Sequence, residues 1–271
     1  MGIQFSKLLS ALESAAPIGL AATWDNVGLL IEAHGPEEQI QTVFMTIDLT
    51  EPVFEEAVAG GADVIITYHP ILFGGVKRLV RTNPAHRVVI AALKNGISIY
   101  SPHTALDAIE GGVNDWLISG VGPVQNVSPL DPVLSDNAND GMGRRGHLET
   151  AAEIDLVASR LKAYLGLEHI RIARAQRHQS GKAITSVAVC PGAGGSLLAG
   201  LSDVDLVVTG EMRHHDVLAL NSRGVSVILT EHTNCERGFL PSYTTRLKDL
   251  IGPASLSWHI SQVDKDPLAV H

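Results

Sequence analysis

The chain has 271 residues, a formal net charge of -9 at pH 7 and a sequence pI near 5.7. That length supports one large or two ordinary domains with full cores and no staple, and an acidic chain without a basic stripe is not built for direct nucleic-acid binding, which needs cations to neutralise phosphates. Two cysteines, Cys190 and Cys235, without CxxC spacing, fit a reducing, cytoplasmic setting. Apolar runs fall far short of the roughly 20 residues a bilayer requires, so no membrane association is expected. The start Met1-Gly2-Ile3-Gln4-Phe5-Ser6 satisfies the loose myristoylation template. Against lipidation, Phe5, Leu8, Leu9 and Leu12 have helical spacing and ask for a protein core.

After that first helix, Thr23-Trp24-Asp25-Asn26 reads as a polar turn, or as a lip over a pocket, feeding an apolar strand at Gly28-Leu29-Leu30. Val43 to Leu49 predicts a strand ending at Asp48, and Thr50-Glu51-Pro52 opens a helix that stops at Gly60-Gly61. Asp63-Val64-Ile65-Ile66-Thr67-Tyr68-His69 is a buried strand ending on a histidine. Asn83-Pro84 opens a further helix with Val88, Val89, Ala92 and Leu93 on one face. This alternation is the signature of βαβ units. From about Gly120 to Gly146 the composition shifts to Pro, Asp, Asn and Gly and reads as a connector or a loose surface segment. Thr150-x-x-Glu153 has the form of a capping box before a helix carrying Ile154, Val157, Leu161 and Leu165. The strand Ala183 to Val189 breaks into Cys190-Pro191-Gly192-Ala193-Gly194-Gly195-Ser196, which suits an anion or a tight crossover equally well.

Two pairs of echoes follow in the same order. Asp205-Leu206-Val207-Val208-Thr209-Gly210-Glu211 repeats the strand at Asp63. Ser226-Val227-Ile228-Leu229, running into His232-Thr233-x-x-Glu236, repeats Ser98-Ile99-Tyr100-Ser101, running into His103-Thr104-x-x-Asp107. The chain therefore reads as a duplicated α/β half, residues 1–125 and 126–271, with a functional crevice between the halves. Side chains at the carboxyl ends of such strands can converge on one point. His69, His103, Asp107, Glu211, His214, His215, His232 and Glu236 stand at these ends. An imidazole and carboxylate mixture suits zinc, iron or manganese, and bridging carboxylates allow two ions, the arrangement that activates water in hydrolases. His103 reads as a ligand or as an orienting group behind one, and Glu211, His214 and His215 as groups that move protons. His34, His86, His147, His169, His178, His259 and His271 read as ordinary surface or core histidines.

Trp24-Asp25-Asn26-x-Gly28-Leu29-Leu30, Tyr68-His69-Pro70, His103-Thr104-x-x-Asp107, Gly141-x-Gly143-Arg144, Thr209-Gly210-Glu211-x-x-His214-His215-Asp216 and His232-x-x-x-Glu236 together resemble the Nif-three-like family (Ngg-interacting factor three), some of whose bacterial members carry the label type-two GTP cyclohydrolase. The resemblance implies two similar intertwined α/β halves with mixed sheets and a dinuclear divalent-metal centre in the crevice between them. It also implies a homohexameric ring. The family's ligands fall on His69, Asp107, His232 and Glu236, with Tyr68 and His103 as further candidates. One departure stands out: many members have His-His where this chain has Tyr68-His69, and a neutral phenol is a poor ligand at pH 7, which weakens one of the two metal positions. The long insertion that some members carry between the halves is missing. The implied functions are a hydrolase acting on a nucleotide or other phosphorylated small molecule, or a metal-holding scaffold for a protein partner.

Overall fold

In the computed structural model, residues 2–252 and 256–269 are described; Met1, 253–255, Val270 and His271 lie outside them, and with them the reading of His271. The chain divides into two compact units, Met1–Leu106 with Phe239–Lys265, and Asp107–Gly238 with Asp266–His271. The sequence reading has a single division, between residues 125 and 126. The units divide the chain at three points, after residues 106, 238 and 265, and the last long helix, Leu240–Ile251, belongs to the first.

The first unit is built on a five-stranded mixed sheet. Its strands lie in the order Ser257–Ile260, Thr42–Thr46, Val64–Thr67, Ser98–Ser101 and Gly28–Ile31, all parallel except the last. The central strands read as unbroken apolar runs because helices cover a parallel sheet on both faces. Val64–Thr67 is buried at every position. On one face, Phe44, Ile65 and Ile99 pack with Val53, Phe54 and Ala57 of the helix Glu51–Ala59 and with Val88, Val89 and Ala92 of the helix Pro84–Asn95. That second helix has a full set of end signals: Asn83 Oδ1 accepts from Ala85 N at 2.9 Å, Pro84 sits in the first turn, and Gly96 closes the end at φ 67°. The amphipathic helix Phe5–Ala15 buries Phe5, Leu8 and Leu12, the core that the sequence spacing asks for.

In the second unit the strand order is Arg171–Ala173, Ser226–Leu229, Leu206–Thr209, Ile184–Cys190, Arg144–Ala152 and Val124–Ser128. The three central strands are again parallel, and the last of them in sequence again pairs with an antiparallel strand that precedes all three. The echo extends to side chains. Asp63 Oδ2 accepts from the amides of Gln41 and Thr42 at the start of the neighbouring strand, and Asp205 Oδ2 does the same for Thr185 and Ser186. Ser98 Oγ holds Ala33 N and His34 Nδ1; Ser226 Oγ holds Ala175 N and His178 Nδ1.

Two sequence expectations need correction here. The stretch Gly120 to Gly146 is not a loose connector: it contributes two strands to the sheet, and Arg144, only 1% exposed, enters the interior. Its guanidinium pairs with Asp115 through Nε and Nη2, both at 2.8 Å, and donates to the carbonyls of Gly141 and Gly143, so every face of the buried charge is satisfied. Thr150 is not a helix cap, because it belongs to the strand Arg144–Ala152. Glu153 sits at the cap of the helix Ile154–Leu165 without a side-chain bond, so the extended preference of a β-branched residue outweighs the box pattern. Among the described residues no helix is long and apolar enough to cross a membrane.

Candidate metal centre

In each unit the polar groups gather where the parallel strands end. In the first, Val64–Thr67 runs out into buried Tyr68 and half-buried His69, anchored by His69 N to Ile47 O at 3.0 Å and by Thr67 Oγ1 to His69 O at 2.9 Å. His69 Nδ1 lies 2.9 Å from Asp48 Oδ1. An ionised carboxylate only accepts, so Nδ1 donates and the lone pair sits on Nε2. The strand Ser98–Ser101 ends at His103, whose φ of 27° is a left-handed conformation that a non-glycine residue holds only when its surroundings enforce it. Enforcement comes from Asp25. Its carboxylate accepts from His103 Nδ1 at 2.8 Å, from Thr104 N at 3.1 Å and from the Thr104 hydroxyl. Burial pushes the Asp25 carboxyl up, but the bonds from His103 and Thr104 outweigh it and hold the group below its ordinary value, so it is ionised at neutral pH. The polar turn of the sequence reading is thus also the brace of His103.

In the second unit, Ser226–Leu229 ends at Glu231, again in the left-handed region at φ 68°, followed by His232 and the short turn Thr233–Cys235. His232 Nδ1 meets Glu211 Oε1 at 2.8 Å, and Nε2 stands 3.6 Å from Oε1 of the buried Glu236. The glycine-rich turn after Ile184–Cys190 supplies the third wall. A Cβ built on Gly192, at φ 59°, comes within 2.6 Å of Glu236 Oε1 and 2.9 Å of His232 Nε2, so only glycine fits against these donors. The helix after it, Gly195–Leu198, is a single turn, and the close approach of backbone to donors explains the glycines without an anion. Cys190 and Cys235 flank this site, but burial first, and then nearby negative charge, pushes both thiols far up.

His69, His232 and Glu236 are residues that each offer a donor atom suited to a metal ion. Asp107 is half-buried, and its charge acts on Cys190. His214 and His215 open the helix His214–Ser222 exposed, their rings 5.5 Å apart, and neither belongs to a metal-capable group among the described residues. Sequence reasoning missed Asp25 and Asp48 as braces for the imidazoles. The only signal was that both stand in polar turns at the edges of apolar strands.

Two mixed sheets that repeat one another, with carboxylate-braced histidines at their strand ends, define an α/β protein with a His/Glu group suited to a divalent metal. The chain belongs to the Duf34/NIF3 (NGG1p interacting factor 3) family, whose sequence profile matches residues 3–267. It is 42% identical over 267 residues to NIF3-like protein 1 of Drosophila melanogaster, covering 98% of this chain and 89% of that one. With NGG1-interacting factor 3 of Saccharomyces cerevisiae it shares 37% identity over 284 residues, covering 98% and 97% of the two chains. Among solved structures, the Bacillus cereus protein related to NIF3 superposes with a TM-score of 0.88 at 20% identity, covering both chains in full, a likeness of fold.

Proposed function

We propose that the protein is a divalent-metal-dependent hydrolase acting on a nucleotide or other phosphorylated small molecule, with zinc, iron or manganese held by His69, Asp107, His232 and Glu236. The observation that carries this reading is that His69, His103 and His232 each direct Nδ1 to a carboxylate, from Asp48, Asp25 and Glu211. Metal-ligating histidines are braced in this way to fix the tautomer that presents Nε2. The nitrogen and oxygen donor set, and the cradle that only Gly192 leaves open, fit such an ion. When bound, one or two ions supply positive charge that polarises a phosphoryl oxygen and acidifies water. The chain's own part is to hold the donors rigid, through Asp25, Asp48 and Glu211, and to move protons through Glu211, His214 and His215. Tyr68 makes the second metal position the weaker one. A homohexameric ring completes the proposal.

Elemental analysis of purified wild type and His232→Ala, beside a screen of both against nucleotides and phosphoesters, tests the reading. Metal and turnover lost together in the variant support it; equal metal content in both proteins overturns the ligand assignment. A second reading, a metal-holding scaffold for a protein partner, draws on the name of the yeast relative, NGG1-interacting factor 3. Full metal with no turnover on any phosphorylated compound favours it.

A further inference from the structure

Trp24 is 62% exposed and Phe73 55%, yet neither ring hangs from a free loop. Their centroids lie 5.8 Å apart with planes tilted by 44°. Asp25, the neighbour of Trp24, is tied to His103 and Thr104, and Ala22 N donates to Thr104 Oγ1 at 3.0 Å. Asn26 Nδ2 donates to the carbonyl of Leu72, the neighbour of Phe73, and so joins the two turns. Polar bonds of adjacent residues thus hold two large apolar rings out in water, where their own burial contributes little. His103 closes one side: its ring stands edge-on to Trp24 at 6.1 Å and 76° and to Phe73 at 6.3 Å and 70°. Beyond it, the rings of Tyr68 and His69 meet His103 at 5.5 and 5.3 Å.

We propose that Trp24 and Phe73 form a stacking platform for the base of a purine nucleoside monophosphate, with His103 as its wall. With the two planes tilted by 44°, a flat base lies on the outer face of the indole, whose own fused bicyclic area matches a purine, and meets the phenyl ring at an angle. From that position the phosphate end of the ligand can reach the imidazoles of His103 and His69. The inference rests on the reading of His69 as part of the reaction centre. It adds that the substrate carries a flat ring, and it names the two residues that select for one.

Calorimetric titration of the metal-loaded protein with AMP, GMP and ribose 5-phosphate tests this, the last having the same anionic end and no base. In Trp24→Leu, which keeps apolar bulk but has no π face, AMP and GMP affinities should fall roughly ten- to a hundredfold, with ribose 5-phosphate unchanged. Trp24→Phe should restore most of the loss, and Phe73→Leu should repeat it more weakly. No binding of either nucleotide to wild type, an unchanged nucleotide affinity in Trp24→Leu, or an equal loss for ribose 5-phosphate each overturns the platform. Metal content of His232→Ala is read separately. If that variant keeps its metal, the metal reading falls while a Trp24 effect on nucleotides still supports the platform; the reverse pattern sinks the platform alone.

Discussion

Glu211 reaches across from the end of one parallel strand to hold His232, at the end of the next, by its Nδ1 at 2.8 Å. A carboxylate in that position orients the imidazole and fixes the tautomer that presents Nε2; used as a proton carrier instead, it would alter turnover without altering metal content. Glu211→Ala should weaken metal binding by about ten- to a hundredfold, the range found for such outer partners. Metal titration of the variant decides the role: unchanged affinity with a large fall in turnover would return Glu211 to proton transfer alone.

Tyr68 is buried, with its ring 5.1 Å from that of His69 and 5.5 Å from that of His103. Replacing its phenol by a neutral nitrogen should tighten the weaker metal position, by about one to two powers of ten if a full ligand is gained. Calorimetry on Tyr68→His should then show a second, tighter transition. Identical titrations of variant and wild type would mean that residue 68 does not face a metal.

Gly192→Ala places a methyl where Glu236 and His232 already stand, on a backbone at φ 59°. The conformational conflict alone should cost more than about 1 kcal/mol of stability. The sharper expectation is loss of metal, because the methyl occupies the space of the donors' ligand. A Gly192→Ala protein that binds metal normally would show that the turn is not part of the site.

Asp205 carries the pH dependence of the second unit's sheet. Burial pushes its carboxyl up, but the hydroxyl and amide of Thr185, the Ser186 amide and Arg177 outweigh that and hold it below its ordinary value. A carboxylate with a depressed folded pKa contributes stability that is present above its unfolded value near 3.9 and is lost as the pH falls through the folded one. Asp205→Asn should therefore cost about 1–3 kcal/mol at pH 7 and progressively less below about pH 4. His178 adds a term of the same sign at higher pH. Burial, then the Arg177 charge, lowers its pKa, so stability falls as acid titrates the unfolded imidazole from about 6.5 downward. Urea melts from pH 3 to 8 on wild type and Asp205→Asn would show both effects; a gap between the two proteins that is constant with pH would contradict the first.

The duplication was legible because Asp63 and Asp205 each stand directly before a buried apolar run, and a buried parallel strand leaves no alternative reading for such a run. The serine clips were not legible. His34 and His178 stand in unlike local sequences, and only the sheet brings them to Ser98 and Ser226. Arg144 stood in the sequence only as the end of a Gly-x-Gly-Arg turn, because a single charge says nothing about the carbonyls that tertiary structure will turn toward it. At the site, the strand-end histidines were visible as a grammar of apolar run followed by His-Thr. Their braces were not, since Asp25 lies 78 positions from His103 and Asp48 lies 21 from His69.

The assignment of Leu240–Ile251 and Ser257–Ile260 to the first unit sets a timetable for biosynthesis. Domains usually complete themselves in the order in which the ribosome delivers them. Here the second unit has nearly all its residues once position 238 emerges, while the first still lacks the strand that pairs with Thr42–Thr46 and the helix that packs on Phe5–Ala15. A nascent chain halted there should resist protease in its later half and be cut in its earlier one.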